Sequence, residues 1–213
     1  NNMTREQFII ELEKLGITLT ELQRNQLEQF YQLLISWNEK INLTRITSKE
    51  DVYLKHFYDS LTLVKVVNLE EKENLCDIGT GAGFPGIVLK IAYPHLKITL
   101  VDALQKRVNY LNEVIKDLGL KDITAIHVRG EDLKEKYDVV TARAVANIEK
   151  LLGYTMHLVK KDGVFIAMKG NIIEELTEPV AKKISTKYEI VKIEEFQLPY
   201  ENSQRSLIVI KNK

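Results

Sequence analysis

The stretch Cys76-Asp77-Ile78-Gly79-Thr80-Gly81-Ala82-Gly83-Phe84-Pro85-Gly86 decides how this chain folds. An apolar run ending in an acid, Leu75 to Asp77, meets glycines at 79, 81 and 83, and a helical pattern follows from Ile87. A parallel strand passes in this way through a tight turn into a helix, with a backbone bare enough to lie against a ligand. Dinucleotide-binding folds space their glycines as G-x-G-x-x-G, and the third lets helix and strand pack closely. Phe84 stands at that third position, so the dinucleotide fingerprint fails here.

Outward from this turn the chain alternates. Strands are read at 74–79, 97–102, 123–128, 137–142 and 163–168, with helices over 85–93, 105–118, 147–158 and 172–186. Such alternation requires right-handed crossovers and a mostly parallel sheet covered on both faces. Tyr188 to Leu198 and Ser206 to Lys211 are β-rich runs with no helix between them, an antiparallel hairpin that closes the sheet. Upstream, Thr4 with Gln7 and Thr20 with Gln23 form capping boxes that open helices. Leu27, Phe30, Tyr31, Leu34, Trp37 and Ile41 then recur at helical spacing, and Ser48 caps a third helical stretch over 52–67. The expected organisation is a helical extension, 1–67, packed on an α/β domain, 68–213.

The formal net charge is zero, from 30 basic and 30 acidic residues. That balance excludes a hold on nucleic acid by bulk charge but leaves room for a local basic patch. Residues 180–213 carry seven basic and four acidic side chains, a local excess of +3. No apolar run approaches the roughly 18 residues needed to cross a membrane. The single cysteine, Cys76, forms no internal disulfide, so a cytoplasmic location without membrane attachment is expected. The four histidines show no metal-ligand spacing, and no metal site is expected.

Ligands of open α/β sheets lie across the carboxyl ends of the strands. D-x-G-x-G-x-G, written here by Asp77, Gly79, Gly81 and Gly83, is the pattern of S-adenosylmethionine (SAM) methyltransferases. Asp77 can face the methionine ammonium. Strand two ends in Asp102, 23 residues after Gly79, where a carboxylate accepts from both ribose hydroxyls or else caps the next helix. Strand three runs into Gly130 and Glu131, a turn or a reader of the adenine edge. Strand four delivers Arg143 to the mouth where a methyl acceptor would enter, and strand five adds Lys169. No Pro-Pro-aromatic motif is present to hold an exocyclic amine, and no Pro-Cys to attack a pyrimidine ring. Trp37 to Thr44 and Lys55 to Leu61 place polar groups between apolar anchors, which suggests buried polar turns supporting a site.

These residues carry a specific resemblance. Trp37-Asn38 through Asn42-Leu43-Thr44, His56 through Leu61, Asp77 through Gly86 with its Gly-Phe-Pro-Gly end, Arg143-Ala144 and Lys169-Gly170 resemble the RsmG family. That family, also called glucose-inhibited division protein B, comprises bacterial 16S ribosomal RNA guanine-N7 methyltransferases. The resemblance implies a class I SAM-dependent methyltransferase fold with a helical N-terminal extension. It implies methyl transfer from SAM to N7 of one guanine in the decoding-region loop of 16S rRNA. It also implies SAM contacts at Gly79, Phe84, Gly130, Glu131 and Arg143. Guanine N7 has a free lone pair, so an in-line displacement needs no general base. Lys40, Arg45, Lys169 and Arg205 are the candidate RNA-facing cations, with Arg143 and Lys169 positioning the acceptor. A monomer acting on 16S rRNA, a 30S subunit or an assembly intermediate is expected. A small-metabolite methyltransferase and a non-catalytic SAM-binding regulator are the alternatives.

Overall fold

A computed structural model describes residues 3–213; Asn1 and Asn2, the first positions of the expected extension, lie outside the described residues. Helices α1 (Arg5–Lys14) and α2 (Glu21–Ile41) both open on reciprocal capping boxes. Thr20 Oγ1 accepts from the Gln23 amide at 3.1 Å while Gln23 Oε1 accepts from the Thr20 amide at 2.7 Å. Two of the amides that every helix start leaves without partners are thereby satisfied. α2 buries Leu27, Phe30 and Leu34, each stabilising by roughly 1.5–3 kcal/mol as it leaves water. Phe30 stacks on Phe57 at 5.6 Å and touches Phe84 of the glycine turn at 5.4 Å. The extension and the sheet thus share one apolar core.

The sheet has seven strands in the order β3-β2-β1-β4-β5-β7-β6. They are β1 (Asn74–Ile78), β2 (Lys97–Asp102), β3 (Ile123–His127), β4 (Tyr137–Arg143), β5 (Val159–Lys169), β6 (Tyr188–Gln197) and β7 (Gln204–Asn212). β1 to β5 pair in parallel; β7 runs antiparallel to both β5 and β6, as the hairpin reading expects. The chain reverses its direction of winding between β1 and β4, so the crevice that receives ligands opens beside the glycine turn. Among the described residues no helix is long and apolar enough to cross a membrane.

Three boundaries differ from the sequence reading. β5 starts at Val159, four residues early, because Lys160 to Gly163, a turn by composition, is extended backbone beside a register shift in β4. Gly163 permits this: a Cβ there would lie 2.8 Å from the Asp138 carbonyl oxygen. The last helix covers Glu178–Lys187 and not 172–186, since Pro179 has no amide to donate and its ring would clash inside a longer helix; it is tolerated only in the first turn, with Thr177 as the cap. The stretch 52–67 is no single helix. A short α3 (Lys49–Val52) widens into a π-helical turn over Tyr53–Tyr58, returns to α over Asp59–Leu61 and tightens to 3₁₀ over Thr62–Lys65. The Ser60 and Thr62 hydroxyls donate to the His56 and Asp59 carbonyl oxygens and hold these changes of pitch. Single π turns of this kind recur at functional sites.

Candidate active site at the strand ends

The glycine turn is fixed from behind. Gly79 and Gly81 take φ of 67° and 59°, left-handed backbone that costs glycine nothing sterically. The Gly79 and Thr80 amides both donate to the Val101 carbonyl oxygen of β2. Asp77 is fully buried; its Oδ2 accepts from Thr80 Oγ1 at 2.7 Å and from the Gly86 amide at 2.8 Å. Its Oδ1 has no partner among the described residues. Burial pushes the Asp77 carboxyl up to about 7, although the two hydrogen bonds pull it down. Of the two roles weighed from the sequence, Asp102 shows the helix-start one: Oδ1 accepts from the Leu104 amide at 3.0 Å, just before the helix Gln105–Leu118, while Oδ2 accepts from the Gly81 amide at 2.9 Å and ties the glycine turn to β2.

Phe84 buries its ring in the shared core, beneath Arg143. It stacks on His56 at 4.3 Å with 9° between the planes, so any ligand contact at this position falls to its backbone. Gly130 is buried, and a Cβ there would lie 3.1 Å from the Tyr154 carbonyl oxygen. Glu131 is exposed, 4.0 Å from Arg129.

Next to the glycine turn lies a cleft of about 420 Å³ between the sheet end and the extension. It brings together Arg143, Lys169 and Arg205, three of the cations singled out by sequence. Lys40 and Arg45 are exposed and do not line it; Lys40 lies over the Trp37 ring, and Ile46, next to Arg45, reaches the cleft. Lys169 is not free. Its Nζ donates to the Ala146 carbonyl oxygen and pairs with Glu175 at 2.9 Å, and Glu175 also accepts from the Ile148 amide. Arg143 is the most constrained. It donates to the Lys55 carbonyl oxygen, to Asp59 Oδ2 at 3.0 Å and to His56 Nδ1 at 2.9 Å, and lies 5.2 Å over the Phe84 ring. Ala144 beside it has φ of 52°, a left-handed backbone that a side chain tolerates at a cost of about 1–2 kcal/mol.

Two members of this site had no role assigned from sequence. Asp59, buried, bridges Arg143 and Arg205, accepting from the Arg205 Nε at 3.0 Å. His56, discounted for lack of metal spacing, accepts from Arg143 through Nδ1 and meets Thr44 Oγ1 at 2.8 Å through Nε2. Burial and the Arg143 guanidinium hold its imidazole down at about 3. Thr44 is placed in turn by Asn38, whose Oδ1 accepts from the Leu43 and Thr44 amides. The sequence signal was there: an acid and a histidine inside the apolar helical run Phe57-Tyr58-Asp59-Ser60-Leu61 and just before it.

The profile of the family described as rRNA small subunit methyltransferase G matches residues 23–208. A protein of Bacillus pumilus (strain SAFR-032) described as ribosomal RNA small subunit methyltransferase G is 46% identical over 218 residues, covering 99% of this chain and 91% of its own. Its counterpart from Bacillus cereus (strain ZK / E33L) is 44% identical over the same shares. Among solved structures, mitomycin 7-O-methyltransferase MmcR superposes with a TM-score of 0.62 at 11% identity, over 91% of this chain and 69% of its own. A variant of MtNAS in complex with S-adenosylmethionine gives 0.62 at 13% identity, over 90% and 76%. At such low identity these structures speak for the fold, the class I methyltransferase sheet with its antiparallel end. Profile and full-length relatives together show that the chain belongs to the rRNA small subunit methyltransferase G family.

Proposed function

We propose that this SAM-dependent rRNA methyltransferase modifies N7 of a guanine in the decoding-region loop of 16S rRNA, by direct in-line displacement. The strand ends fit the cofactor. Apart from Gly81 and its chain neighbours, no atom of the described residues lies within 4 Å of where a Cβ on Gly81 would sit. The buried Asp77 Oδ1 is an acceptor without a partner among those residues, behind the same turn. Gly79, Gly81, Asp102, Gly130 and Glu131 are the residues that would hold SAM, with Arg143 at the junction with the acceptor. When bound, SAM supplies a methyl group on a positively charged sulfur.

The observation that carries the N7 reading is a cleft rich in donors and without a free base. Both His56 nitrogens are engaged, and the ring stays neutral at any working pH. Asp59 is paired with two arginines, one on each oxygen, and Asp77 lies behind the glycine turn. An acceptor that must lose a proton before attack would find no group to take it. Guanine N7 has a free lone pair for the attack, and guanidinium donors can hold the neighbouring O6 while leaving N7 open. The residues then have to hold the base in line and admit it from an RNA loop, the kind of target whose unstacked bases proteins read. Lys40 and Arg45, exposed outside the cleft, are the cations that would meet the flanking RNA backbone.

Labelled SAM incubated with 30S particles and with free 16S rRNA, both from a strain lacking the modification, tests this. Digestion to nucleosides is expected to put the label in 7-methylguanosine from at least one of the two substrates. Label in any other nucleoside, or in neither RNA, overturns the proposal.

A further inference from the structure

We propose that Asp59 is a positioning residue for methyl transfer: from the extension it sets Arg205 of β7, together with Arg143 of β4, as oriented donors toward the acceptor. This rests on reading the cleft as the acceptor site. Asp59 is 5% exposed and divides its two oxygens between the two arginines, Oδ2 to Arg143 and Oδ1 to the Arg205 Nε, each at 3.0 Å. Without that carboxylate two guanidinium groups would share one cleft wall with nothing between them. The turn that carries Asp59 is built for the task. The π-helical turn Tyr53–Tyr58 ends immediately before it, and Thr62 Oγ1 donates to its carbonyl oxygen.

The two arginines depend on Asp59 to different degrees. Arg143 keeps the Lys55 carbonyl oxygen, His56 and the Phe84 ring if Asp59 is lost. Among the described residues Arg205 has besides Asp59 only the Gln204 carbonyl oxygen, the residue next to it, at 3.0 Å. Loss of Asp59 therefore disorients Arg205 first and the cofactor side last. Arg205 has Nε and one terminal nitrogen engaged, which leaves its other terminal nitrogen to donate to the oxygens of the acceptor nucleotide.

The test is a double-mutant cycle in the full-length enzyme, with Asp59→Asn, Arg205→Ala and the double variant. SAM affinity is read by calorimetry, and the single-turnover rate at saturating rRNA by label transfer. Asp59→Asn is expected to leave SAM affinity within about threefold and to lower the rate roughly 30- to 100-fold, since a misplacement of about 1 Å costs rates of this order. The double variant is expected to be no more than about twofold slower than the slower single variant, because residues acting through one another are not additive. Asp59→Glu, which keeps the charge and moves it, should not restore the rate. An Asp59→Asn rate within about threefold of wild type, or losses that multiply in the double, overturns the proposal. If Asp59→Asn alone does not fold, Arg205→Ala and the double, which leaves no unpaired arginine at β7, carry the comparison. A wild-type enzyme that transfers no methyl to rRNA would instead refute the acceptor assignment beneath it.

Discussion

Replacing Arg143 with alanine should lower the single-turnover rate by roughly 100- to 1,000-fold, the range for losing a preorganised donor at a reacting centre. Four separate contacts converge on this guanidinium, from the Lys55 carbonyl oxygen, Asp59, His56 and the Phe84 ring. Its removal also strips Asp59 of one partner. Breaking a buried pair costs about 3–5 kcal/mol, and because Arg205 still faces Asp59 the loss here should be about 2–3 kcal/mol. Lysine at this position should not rescue the rate. A single ammonium cannot donate to three differently placed acceptors and also lie flat on a ring. Urea denaturation beside turnover assays of Arg143→Ala and Arg143→Lys decides the point. A lysine variant within about tenfold of wild type would mean that only the charge at this position matters.

The glycine turn should give the second large effect. Gly81→Val should weaken SAM binding on the order of 100-fold, about 2.7 kcal/mol, while the protein stays folded. Beyond its chain neighbours no atom of the described residues stands within 4 Å of the new Cβ, so what it should meet is the ligand. The φ of 59° adds a backbone cost of about 1–2 kcal/mol that denaturation would report separately. Gly86→Ala is the contrasting control. Its Cβ would lie 2.2 Å from Leu100 Cδ2 and 2.9 Å from Asp77 Oδ2, so stability should fall, by the roughly 1–3 kcal/mol typical of overpacking. Calorimetry with SAM on both variants separates the two. Unchanged affinity in Gly81→Val would remove the turn from the cofactor site.

The α/β frame was legible because its signals are local. Glycine spacing, alternating strand and helix patterns and the two capping boxes each depend on a few neighbouring residues. The start of β5 was missed because Lys160 to Gly163 reads as a turn by composition, and its extended form depends on β4 lying alongside. The start of the last helix was missed because the restriction imposed by Pro179 was outweighed by an apolar pattern upstream. The stretch holding His56 and Asp59 reads as a buried polar turn supporting a site, but the roles of the two residues were not legible, for a deeper reason. Their partners, Arg143 and Arg205, lie 84 and 146 residues away from Asp59 in sequence, and no local pattern announces so distant a contact. Lys169 was read as a free cation because Glu175 looked like part of a helix, whereas the loop turns it back onto the lysine.

The account's central claim is that transfer proceeds without a general base. The direct measurement is the single-turnover methylation rate with SAM and rRNA both saturating, from about pH 5.5 to about pH 9. At saturation the rate reports only groups that titrate in the bound complex, and Asp77 is held by Thr80 and Gly86, fully buried behind the glycine turn. His56, held down at about 3, is neutral across the whole range and contributes no limb. The predicted profile is flat through the ordinary histidine range near about 6.5. A rate that falls about tenfold per pH unit below that point, with the bend abolished by His56→Gln, would contradict direct displacement and make His56 the base.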